Sequence, residues 1–151
     1  MRRAWRGFTV AELVMVCALL SILAAIAIPT ARFVVKRERE SELRLALRTM
    51  RTAIDEYKRL ADQGMIQVDL GTEGYPKTLE VLMEGVDIVG QETKRKFLRR
   101  IPLDPMTGKD EWGMRSYQDD HDSTSWGGQN VYDVYSLSRA TALDGTKYGD
   151  W

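Results

Sequence analysis

Hydrophobic and polar positions fall along this chain in three regimes. From Phe8 to Ile28 they scarcely alternate: apart from the thiol of Cys17 the only ionisable side chain is Glu12. As a helix rising about 1.5 Å per residue, that run would span roughly 30 Å, the hydrocarbon thickness of a bilayer. Beyond Pro29 the chain turns charged but keeps a helical period. Leu43, Leu47, Met50, Ile54 and Tyr57 recur at steps of four, three, four and three, with Arg44, Arg48, Arg51, Asp55 and Lys58 on other faces. This predicts an amphipathic helix whose single apolar stripe packs on a sheet. Joined, the two regimes predict one helix from about Phe8 to about Ala61, roughly 80 Å long, bent or loosened at Pro29, which lacks a backbone donor. Gly64 ends it. The dense charges Lys36-Arg37-Glu38-Arg39-Glu40 read as a solvated helix face, with contact between subunits as the second possibility.

The third regime is short and punctuated. In Tyr75-Pro76-Lys77-Thr78-Leu79-Glu80-Val81-Leu82, a proline near the start and Leu79, Leu82 and Met83 at helical spacing predict a short helix ending at Gly85. Gln91 to Arg100 is expected to make another short turn of helix. In Ile101-Pro102-Leu103-Asp104-Pro105 two prolines at spacing three exclude regular helix and predict a rigid turn. Trp112 to Gln118 and Asn130 to Leu137 read as strands, separated by the polar loop Asp119 to Gly128. Whether a third short strand lies on either side is left open. Helix first and small antiparallel sheet afterwards makes an α+β fold, with the sheet covering the helix stripe. The expected divisions are 1–7, 8–29, 30–62 and a head over 63–151, itself split into a connecting region (63–110) and a sheet with C-terminal loop (111–151).

Charge and chemistry narrow the function. The 22 basic residues match the 22 acidic ones, and setting aside Arg2, Arg3 and Arg6 leaves 19 against 22, a net of −3. A mildly acidic chain is no nucleic-acid binder by composition. The single cysteine, Cys17, lies in the apolar run, so the head has no internal disulfide and needs another staple, a bound cation or an assembly. One histidine, His121, and scattered serines do not make a nucleophile, base and orienter set, and there is no phosphate-binding glycine loop. An enzyme is not expected. Asp119, Asp120 and Asp122 beside His121 read as solvated loop acids before they read as metal ligands. Arg95, Lys96, Arg99 and Arg100 read as surface charge, and Trp112, Tyr117, Trp126, Tyr132 and Tyr135 as core and cross-strand pairs.

Arg2, Arg3 and Arg6 precede the apolar run, and the positive-inside rule would keep them in the cytoplasm with the bulk of the chain on the far side. A carboxylate near the end of a membrane helix costs on the order of a few kcal/mol without a partner, which marks Glu12 as functional. Two other readings of this N-terminus stay open. Ala25-Ile26-Ala27 fits a secretory signal peptide removed after Ala27, releasing a soluble protein that starts at Ile28; the run also fits an uncleaved single-pass anchor.

The residues Gly7-Phe8-Thr9-Val10-Ala11-Glu12 resemble the signal of the type IV pilin and type II secretion pseudopilin superfamily, most closely the major pseudopilins. The resemblance implies cleavage between Gly7 and Phe8 by a prepilin peptidase, N-methylation of Phe8, and a filament-assembly role for Glu12, whose carboxylate would meet a neighbour's new α-amine. Pro29 falls where the family usually has a helix-loosening proline, while Ser21 stands where a glycine is frequent. Tyr75-Pro76 with Leu79 and Leu82, followed by Pro102-Leu103-Asp104-Pro105, resembles the pseudopilin connecting region. Tyr135-Ser136-Leu137 leading to Asp144-Gly145 and Asp150-Trp151 resembles the family's calcium loop, which implies Ca2+ held by the Leu137 carbonyl and the Asp144 and Asp150 side chains. This loop carries Arg139 and Lys147 and fewer acids than the family pattern. The implied fold is the pilin-like α/β roll. The implied assembly is a homopolymer in the bacterial inner membrane, working with an assembly platform and its ATPase and with minor pseudopilins. A type IV pilin or minor pilin of a surface fibre is the neighbouring possibility.

Overall fold

The computed structural model describes residues 9–151, apart from the side chains of residues 27–29. It divides into a unit that ends at Glu38 and a compact unit from Arg39 to Trp151. Helix α1, Val10–Asp62, belongs to both. It remains helical through Pro29. A proline removes one helix donor, and the neighbouring turn is secured by the Thr30 hydroxyl, which donates to the Ile26 carbonyl at 2.9 Å.

The end of α1 is set by Gly64, whose φ of 68° few other residues adopt. Its N–H donates to Ala61 O and that of Met65 to Leu60 O, so the paired bonds of a Schellman cap satisfy two of the last carbonyls. Within the Arg39–Trp151 unit every position of the predicted stripe is buried: Leu43, Leu47, Met50, Ile54 and Tyr57 share one core with Leu82, Trp112, Val131 and Val134.

Helix α2, Leu79–Glu84, ends at Gly85 as its sequence predicts. A Cβ at Gly85 would run into the Arg95 carbonyl, because Val86 and Arg95 form an antiparallel bridge there. That bridge overturns the helical turn expected over Gln91 to Arg100. Arg95 exchanges backbone hydrogen bonds with Val86, and the N–H groups of Phe97 and Leu98 both donate to Leu82 O. A helix would have to break these long-range pairs.

The sheet has two antiparallel strands, β1 (Gly113–Arg115) and β2 (Asp133–Tyr135), with Met114 opposite Val134. Both are shorter than expected because acceptors outside the ladder take up the N–H groups at their ends. The Ser116 N–H donates to Asp119 Oδ2 and that of Tyr117 to Asn130 Oδ1, while Val131 N–H donates to Pro76 O. Among the described residues there is no third strand; besides the Val86–Arg95 bridge, one between Thr141 and Lys147 closes a hairpin before a 3-10 turn, Tyr148–Asp150. Gly113 has no room for a side chain, since the Tyr135 ring lies where its Cβ would stand.

Candidate functional site

At the N-terminal end, Gly7 and Phe8 lie outside the described residues. Glu12 lies in the first turn of α1 and takes part in a capping box that the sequence reading passed over. Thr9 Oγ1 accepts from the Glu12 N–H at 3.2 Å, and Glu12 Oε2 accepts from the Thr9 N–H at 3.5 Å. The signal was available, a Thr followed three residues later by a Glu at the head of an apolar run. Behind it the helix is long and apolar enough to cross a membrane, and its apolar window is wholly exposed. Cys17 is exposed on this stretch as a free thiol.

The second group surrounds the C-terminal hairpin. Asp144 occupies its tip, where Oδ1 accepts from the N–H of Thr146 at 3.0 Å and from its hydroxyl at 2.6 Å. These two bonds hold the Asp144 carboxyl below the ordinary carboxylate range, with the Arg44 guanidinium, 3.6 Å from Oδ2, adding to the shift. Leu137 and Asp150 line a cleft of about 760 Å³ that Asp144 does not line. Among the described residues no group of three or more His, Cys, Asp or Glu side chains is gathered for a metal ion.

What the sequence reading missed here is Glu40. Placed with the solvated charges, it is instead 8% exposed, and its Oε1 accepts from the Leu143 N–H at 2.8 Å and from the Tyr148 hydroxyl at 2.9 Å. Burial first, and then the bond to Glu40, push the Tyr148 phenol up to about 12. The signal was its phase, because Glu40 precedes Leu43 by three and Leu47 by seven and so continues the buried stripe. Arg51 is a second anchor. It bonds Asp133 at 2.6 Å, Val134 O at 3.1 Å and Trp151 O at 2.7 Å. Arg115 reaches Asp133 at 3.7 Å, donates to Ser123 O at 2.8 Å and stacks over the Tyr135 ring at 4.2 Å.

The remaining candidates are structural by their partners. Asp119 caps its own loop, accepting from the N–H groups of Ser116 and Gly127, and these bonds lower its pKa. Asp104 of the two-proline turn is fully buried, accepting from Met106 N–H at 2.7 Å and from the Ser136 hydroxyl at 2.7 Å. Trp112 fits the core expectation, with its indole N–H on Pro102 O. Tyr117 and Tyr132 are exposed and not core, but they pair with each other as expected and join Tyr75 in a cluster of rings at centroid distances of 5.2 to 5.8 Å. Of the basic cluster, Arg95 pairs with Glu56 at 3.2 Å. Compared with family models, with curated proteins and with solved structures, the chain finds no significant match in any of the three.

Proposed function

We propose that this chain is a structural subunit of a pseudopilus or type IV pilus-like filament, of the kind formed by the major pseudopilin of a type II secretion system. The observation that carries this reading is the first stretch of α1: exposed apolar surface throughout, with one carboxylate in its opening turn. Such surface is stable only in lipid or against other apolar helices, and in a low-dielectric setting a lone carboxylate seeks a cation. An α-amine released in front of Phe8 on a neighbouring copy supplies one, and subunits out of register leave Glu12 unpaired. The bilayer holds the subunit before assembly, with the basic leader on the cytoplasmic side and the head on the other. The prepilin peptidase, the inner-membrane platform and its ATPase are the partners this reading requires, with minor pseudopilins beside the homopolymer.

The experiment is N-terminal sequencing of the protein recovered from membranes, together with electron microscopy of sheared filaments probed for this chain. A methylated Phe8 terminus and labelled filaments are expected. An Ile28 terminus on a dispersed soluble protein removes the proposal and leaves a secreted binding protein in its place.

A further inference from the structure

The resemblance to pseudopilins implies calcium at Leu137, Asp144 and Asp150, and the side chains around those residues answer to a different chemistry. Calcium takes six to eight oxygens, carboxylates foremost. The cleft shared by Leu137 and Asp150 is also lined by Arg115, Arg139 and Lys147, three cations against the carboxylates of Asp122 and Asp150. Arg115 is paired with Asp133, so Arg139 and Lys147 match the two remaining carboxylates and a divalent ion entering the cleft meets no surplus of negative charge. Asp144 has its Oδ1 committed to both Thr146 donors and its Oδ2 turned to Arg44. To serve as a ligand through Oδ2 it would give up its pairing with Arg44.

Tying the loop to the body, the task that an ion would perform, falls instead to α1. Positions 40, 44 and 51 are spaced four and seven apart and therefore share one side of the helix. Glu40 accepts from Leu143 in the hairpin and from Tyr148 in the 3-10 turn. Arg44 pairs with Asp144 and lies 4.2 Å over the Trp151 ring. Arg51 donates to Trp151 O and to Asp133. The hairpin tip, the 3-10 turn and the last residue are thus each held by a charged side chain from the helix, and Trp151 packs edge-on against Tyr148. We propose that residues 138–151 form a metal-independent lock, in which Glu40, Arg44 and Arg51 perform the tethering that the resemblance assigns to calcium.

The test is thermal unfolding of the full chain in detergent, followed by near-UV circular dichroism, with excess calcium and with chelator. The expected result is one midpoint in both conditions, and no calcium bound per chain by elemental analysis after dialysis against it. Glu40→Ala lowers the midpoint by several degrees in both conditions, and added calcium does not restore it. Should that variant fail to fold, Tyr148→Phe removes only the hydroxyl and gives a smaller drop, again indifferent to calcium. A midpoint that rises with calcium, one ion bound per chain, or midpoints unmoved by both substitutions overturns the lock.

Discussion

Val10, Leu13 and Leu23 each leave more than half of their surface exposed, while Leu43, Met50 and Ile54, further along the same helix, leave none. The side chains are similar and the backbone geometry is the same, so helix propensity does not separate the two stretches. What separates them is the source of the covering surface. The Arg39–Trp151 unit supplies its own, from α2, Trp112, Val131 and Val134. Residues 10–26 have none within their unit, and burying a leucine or isoleucine is worth about 1.5 to 3 kcal/mol, a gain available to them only from lipid or another molecule. One half of the helix is therefore finished by folding and the other by its surroundings.

The contrast breaks first at Glu12. On the filament reading proposed above, Glu12→Ala is expected to leave cleavage and the head's unfolding midpoint intact while reducing filament yield about tenfold or more, the effect of losing a pairing worth at least about 1.4 kcal/mol. Glu12→Gln sharpens this, because glutamine keeps the capping box with Thr9 but carries no charge. If counting filaments in micrographs shows Gln behaving like wild type, capping and not pairing is the role. The core supplies the next largest effect. Met50→Ala is expected to cost about 2 to 5 kcal/mol in denaturant unfolding of the head, whereas Leu23→Ala leaves that transition where it was. Equal losses from the two would show the halves to be one cooperative structure.

The smallest effect is electrostatic and confined to the head. Bonds from Ser116 and Gly127 lower the Asp119 pKa below its ordinary 3.8. A depressed carboxyl contributes stability that is fully present above the unfolded value and fades as pH falls through the folded one. Asp119→Asn is therefore expected to lower the melting midpoint by a small amount at pH 6, with the gap to wild type closing below about pH 4. A gap of constant size across that range would assign the effect to shape and not to charge.

The parts of this architecture that could be read from the sequence are those written in local periodicity. The stripe from Leu43 to Tyr57, the stop at Gly64 and the short helix before Gly85 all follow from spacing and from backbone preferences, and all are found. The parts that escaped depend on partners far along the chain. Glu40 looks solvated among its neighbours, and its partners Leu143 and Tyr148 lie 103 and 108 residues away. The segment Gln91 to Arg100 has helical composition, and Leu82 and Val86 take its backbone donors elsewhere. Strand length was overestimated because Asp119 and Asn130 compete for the ladder from outside it. Asp104 shows the converse: the prolines around it marked a turn, and only Ser136, 32 residues on, reveals what fastens that turn.

Arg51 is one post to which Asp133, Val134 and Trp151 are all moored. Strand β2 and the last residues of the chain therefore share an anchor. Loss of that guanidinium is therefore expected to quicken deuterium uptake by the amides of both.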